Sequence, residues 1–122
     1  MATILVVDDE SFERVFYEKR LMDEGYNVIL AGDGFEAIEK VKNEKPDLVV
    51  LDIKMPGIDG IETLGKICQE NYDLPIIINT NYEVWRDNFR TRAADAYVIK
   101  SPDLKELKEK IKELLMMKGK IT

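Results

Sequence analysis

The stretch Lys45-Pro46-Asp47-Leu48-Val49-Val50-Leu51-Asp52 decides how this chain folds. Lys-Pro marks a turn, four apolar residues follow without a polar break, and an acid ends the run. A strand with one wet face alternates apolar and polar residues, whereas a strand buried on both faces reads as an unbroken apolar run. Downstream, Pro56-Gly57 gives another turn, and Ile61, Leu64 and Cys68 then recur at i, i+3, i+7, the spacing of one helix face. Working outward, four more Val/Ile-rich runs stand out: Ile4 to Val7, Val28 to Leu30, Ile76 to Ile78, and Tyr97 to Ile99. Helical spacing returns in Leu104, Leu107, Ile111, Leu114 and Leu115, with Lys and Glu between them. Asp59-Gly60-Ile61-Glu62 resembles a capping box, and Ser101-Pro102-Asp103 predicts a cap before a first-turn proline. Turns are expected at Gly25 and Asp33-Gly34. The order is βαβαβαβαβα, which predicts an α/β three-layer sandwich around an open, doubly wound sheet of five parallel strands.

Composition narrows the function. At 122 residues the chain is expected to be one domain over 1–122, with a frayed tail at 117–122. The single cysteine, Cys68, permits no internal disulfide, and its place on an apolar helix face predicts inert filling. The absence of histidine excludes Ser-His and Cys-His nucleophile systems and any histidine-ligated zinc. A net charge of −6 argues against direct nucleic-acid binding by the whole surface. No apolar run is long enough to span a membrane, and no basic region precedes the first run, so a cytoplasmic location without a signal peptide is expected.

In open α/β sheets the ligand site lies beyond the carboxyl ends of the strands. Asp8, Asp9 and Glu10 follow the first run, Asp52 ends the third, Thr80 follows the fourth, and Lys100 follows the fifth. Carboxylates gathered on one rim repel each other unless a cation joins them. Mg2+, a hard ion, favours carboxylates, waters and phosphate oxygens. Lys100 suits a phosphoryl oxygen and Thr80 can donate to another. The bland readings are a solvated loop for the acid pair, a strand-end hydroxyl bonded to backbone for Thr80, and edge packing for Tyr97.

Four stretches together resemble the receiver domains of bacterial response regulators over almost the whole chain. They are Leu5 to Glu10, Asp33 to Ala37, Pro46 to Gly60, and Ala94 to Lys100. The resemblance implies a flavodoxin-like, CheY-like sheet with strand order 2-1-3-4-5. It implies that Asp52 is the phosphoacceptor, attacking a phosphohistidine in line. Mg2+, or Mn2+ in its place, would be held by Asp9, Asp52 and the backbone oxygen of Lys54, with Asp8 acting through a metal-bound water. Thr80 and Lys100 would bind phosphoryl oxygens, and Tyr97 would be the switch aromatic. The implied partners are a histidine kinase or histidine-phosphotransfer protein and an unknown downstream protein target. A phosphorylation-dependent dimer is a further option, and no membrane or direct nucleic-acid contact is expected. With no domain after Thr122, the chain resembles stand-alone receivers, signalling phosphoacceptors rather than enzymes. The alternative is a fragment cut from a longer regulator.

This sequence departs from the family pattern at four points. Ser101 stands where a proline usually follows the lysine. Asn81 replaces a small residue after Thr80, and Ala93 replaces a glycine before the fifth strand. The segment from Thr80 to Lys100 is about two residues shorter than usual. These departures motivate an alternative, a pseudo-receiver that binds partners without phosphorylation. Lys54 and Tyr82, with Asn81 beside them, occupy positions that tune hydrolysis in the family. Neither is a general base at neutral pH, so a long-lived phosphorylated state is expected. Two rivals fare worse. A Mg2+ phosphohydrolase would want an acid where Lys54 stands, and a flavin carrier would want a Ser/Thr-rich phosphate loop.

Overall fold

Each apolar run becomes a strand: β1 Thr3–Val7, β2 Asn27–Ala31, β3 Leu48–Leu51, β4 Ile76–Thr80 and β5 Ala96–Ile99. This is seen in a computed structural model that describes residues 1–53, 58–71, 73–81 and 94–121, with side chains at all of these except 58–61. The strands form one parallel sheet in the order β2-β1-β3-β4-β5. Val6 pairs with Leu30 on one side and Val50 on the other, and Val50 pairs with Ile77. The helices among the described residues are α1 Ser11–Asp23, α2 Gly34–Glu44, α3 Ile58–Glu70 and α4 Lys105–Met117. The helix expected between the fourth and fifth strands falls on 82–93, outside the described residues.

The unbroken apolar runs have a direct cause, because both sheet faces are covered. Ile4, Val6, Leu48, Val50, Ile77 and Val98 point to one face and pack on Tyr17 and Leu21 of α1 and on Leu107, Ile111 and Leu115 of α4. Leu5, Val7, Val49, Leu51, Ile76 and Ile78 point the other way, against Ala37 and Val41 of α2 and Leu64 and Ile67 of α3. Each such side chain contributes roughly 1.5–3 kcal/mol by leaving water. Half-buried Cys68 packs against the second face, and burial pushes its thiol pKa up, which keeps it un-ionised.

Helix ends follow local chemistry, with some corrections. The Asp33 carboxylate accepts from the Glu36 amide at 2.8 Å, and Glu36 Oε1 accepts from the Gly32 amide at 2.7 Å, so α2 is capped reciprocally. Gly34 opens α2 where a Cβ would lie 2.1 Å from Thr63 Oγ1 on α3, so only glycine lets the helices approach there. The expected cap at Ser101 is displaced. The Ser101 hydroxyl donates to Asp103, whose carboxylate accepts from the Lys105 amide at 3.1 Å, and α4 starts only at Lys105. Leu104, at φ 54, makes the left-handed corner that separates Pro102 from the helix. Asp59 lies one residue inside α3 rather than at its N-cap. Past α4 the Lys120 amide donates to the Leu115 carbonyl at 2.9 Å, Gly119 takes φ 72, and Ile121 packs against the first face.

Candidate functional site

The sheet ladder continues one rung past its strands and so fixes the backbone under the acids. The Asp8 amide donates to the Ala31 carbonyl at 3.1 Å, Asp52 to Val7 at 3.0 Å, and Lys100 to Thr80 at 2.8 Å. Asp8 and Asp52 therefore leave the adjacent strands β1 and β3 at one level, and Lys100 leaves β5 two rungs further along, all on the carboxyl rim. Carboxylate oxygens of Asp8, Asp9 and Asp52 lie within 4.8 Å of one another. Asp8 is buried, and its Oδ1 accepts from the Glu10 amide at 3.0 Å. Arg14 Nη1 donates to the Asp8 carbonyl at 2.6 Å and pins the start of α1 to this loop. Asp9 is exposed at the mouth.

Lys100 enters from the opposite side. Its ammonium donates to Asp8 Oδ2 at 3.0 Å, Asp52 Oδ2 at 3.2 Å and Glu13 Oε1 at 2.9 Å. Ser101 in place of a proline therefore does not draw Lys100 out of the site. Burial pushes the Asp52 carboxyl up to about 6, against the pull of Lys100, while the Asp8 and Glu13 carboxylates push the same way as burial. The Lys100 ammonium titrates above its usual range, since the bonds to Glu13, Asp52 and Asp8 outweigh its desolvation.

Thr80 is the last residue of β4, and it is fully buried. Its hydroxyl donates to the Ile53 carbonyl at 2.7 Å, beside Asp52, so it meets the site through the backbone that follows the acid. Asn81, next along, is exposed. Tyr97 is half-buried on β5 and packs on the core under α2 and α3. Lys54, Tyr82 and Ala93 lie outside the described residues. Glu13 is the site residue that sequence reading missed. In an amphipathic helix it reads as an ordinary surface acid, and only the fold brings it to a lysine 87 positions away.

Three hard oxygen donors within reach of one centre fit a Mg2+ ion, and the buried ammonium beside them fits an anion bound to that ion. No helix among the described residues is long and apolar enough to cross a membrane.

The chain is similar to known proteins in sequence and in fold. A family model described as the response regulator receiver domain matches residues 4–112. The probable transcriptional regulatory protein TcrX of Mycobacterium tuberculosis is 35% identical over 122 residues, covering 98% of this chain and 52% of that protein. The chain spans about half the length of the curated relatives it matches. The response regulator TrrA of Thermotoga maritima, solved in complex with Mg2+ and BeF, is 46% identical with a TM-score of 0.89, covering 94% of this chain and 100% of that one. In a second structure TrrA is bound to the histidine kinase ThkA, with 46% identity, a TM-score of 0.86, and coverage of 94% and 99%.

Proposed function

Because the chain belongs to the response regulator receiver domain family, we propose that Asp52 accepts a phosphoryl group from a phosphohistidine, and that the added charge is read through Thr80, Lys100 and Tyr97. The single observation that carries this reading is the meeting of Asp52 with Lys100 and with the Asp8 and Asp9 carboxylates at one rim.

The chemistry follows from these side chains. An Asp52 oxygen attacks phosphorus in line as the P–N bond breaks, and the imidazole leaves with its electron pair and takes up a proton from solvent. Asp9 and Asp52 would hold Mg2+, with Asp8 acting through a metal-bound water, and the ion would supply neutralisation of the negative charge gathered at the site. The Lys54 backbone oxygen, which the family resemblance adds, lies outside the described residues. Asp52 must be ionised to attack, and Lys100 favours that form. Lys100 then holds a phosphoryl oxygen, as a fixed ammonium can without proton transfer. Thr80 must exchange its bond to the Ile53 carbonyl for one to phosphate, and that exchange would be the first movement of a switch beside Tyr97.

The donor is a histidine kinase or histidine-phosphotransfer protein, as suits a chain with no histidine of its own. Phe12 and Val15 are exposed on α1, the helix that follows Asp9 in the chain, and offer such a donor an apolar seat. The chain acts as a signalling phosphoacceptor rather than as an enzyme on a separate substrate, and its output is a change in protein contacts.

The test is intact mass after incubation with acetyl phosphate and Mg2+, alongside Asp52→Asn. The wild type should gain one phosphoryl group and the variant none. Equal labelling of both would overturn the assignment.

A further inference from the structure

An ammonium has three N–H donors, and those of Lys100 are all engaged, by Asp8, Asp52 and Glu13. The side chain is only 8% exposed, so no solvent shell stands ready to replace a lost partner. The Glu13 bond, at 2.9 Å, is the shortest of the three, and the Asp52 bond, at 3.2 Å, is the longest. Asp8 and Asp52 are required by the site itself, whereas Glu13 comes from α1 and has no part in holding metal or phosphate. A phosphoryl group on Asp52 brings oxygens that need a donor from Lys100, and that donor must be taken from one of the present partners.

We propose that Glu13 is a positioning residue that competes with the phosphoryl group for Lys100. In the resting site it holds the ammonium toward α1. Phosphorylation of Asp52 displaces it, because a phosphoryl group carries about −1.5 to −2 charge against the single charge of a carboxylate. The phosphorylated state then has a free Glu13 at the first turn of α1, so that helix also registers the event. This inference rests on the function proposed above, and Glu13 acts only through Lys100.

The competition predicts that one ligand binds tighter while the other does not, which loss of packing cannot produce. Glu13→Gln keeps the volume and removes the charge. It leaves Lys100 freer for an anion, and it removes one negative charge that favours a cation. The anion that tests this is fluoroberyllate, a stand-in for a carboxylate-bound phosphoryl group. Its affinity at saturating Mg2+ should rise by about fivefold, the scale of one partly exposed charge pair. The affinity for Mg2+ alone should stay level or fall. Glu13→Ala should move both in the same directions.

Calorimetric titration of wild type, Glu13→Gln and Glu13→Ala with Mg2+, and then with fluoroberyllate, decides the matter. Tighter fluoroberyllate binding without tighter Mg2+ binding is the expected result. Wild-type binding with unchanged or weaker fluoroberyllate affinity in both variants overturns the role of Glu13 and leaves the proposed function standing. Failure of the wild type to bind fluoroberyllate with Mg2+ overturns both.

Discussion

The two ends of the sheet both carry aspartates, and they treat them differently. At the amino end, Asp47 accepts from the Thr3 amide at 2.8 Å and Asp95 from the Ile76 amide at 2.8 Å, each supplying a partner to an N–H at the start of a strand. Asp47 also meets Lys120 at 3.4 Å. At the carboxyl end, Asp8, Asp9 and Asp52 crowd together, and Asp8 and Asp52 share one ammonium with Glu13. The lesson is one of supply. A lone carboxylate beside a strand-start amide stabilises the fold, whereas several carboxylates around one cation are held in place by the sheet despite their repulsion. The first arrangement needs no ligand, and the second is improved by one.

Removing the cation should have the largest effect. Lys100→Met leaves buried Asp8 and nearly buried Asp52 without their counter-charge, which should cost about 3–5 kcal/mol in chemical denaturation without metal. Mg2+ should restore a larger share of stability to this variant than it adds to the wild type. A loss below about 1 kcal/mol would mean that the acids are less crowded than the geometry implies.

The pH dependence comes next in size. Asp52 titrates at about 6 in the folded state against 3.8 as its ordinary value, so folding favours its protonated form. Its contribution is therefore neutral below about pH 4, and it becomes a penalty as pH rises to about 6 and stays one above. Without metal, Asp52→Asn should match the wild type near pH 4 and exceed it by about 2–3 kcal/mol at pH 7. Unfolding free energies across that range should show the gap opening with rising pH. A gap that closes instead would reverse the sign assigned to Asp52.

The amino end should give the opposite and smaller response. Asp95→Asn exchanges a charged acceptor for a neutral one at the Ile76 amide and should cost about 1 kcal/mol at pH 7. A gain in stability there would erase the contrast between the two ends.

Much of this was legible in the sequence, for physical reasons. Burial on both faces makes each strand an unbroken apolar run, so Leu48 to Leu51 and its four counterparts could be read directly. Parallel topology then places the residues after those runs on one rim, which is why Asp8, Asp9, Asp52 and Lys100 could be brought together without coordinates. What escaped was set by tertiary geometry. Glu13 looks like any acid on a helix surface, and Asp47 and Asp95 look like loop residues until the backbone amides they meet are in place. The start of α4 misled because Ser101-Pro102-Asp103 satisfies local capping rules while Leu104 adopts a left-handed corner that those rules do not foresee.

The central claim is that the carboxyl-end acids form one cation site that includes Asp52, while the amino-end acids do not take part. Thermal and chemical unfolding of wild type, Asp52→Asn and Asp95→Asn, with and without Mg2+, tests it most directly. At a hundred times its dissociation constant Mg2+ should stabilise the wild type and Asp95→Asn alike, by about 2.7 kcal/mol, and Asp52→Asn by clearly less. An equal gain in all three proteins, or no gain in the wild type, would contradict the account.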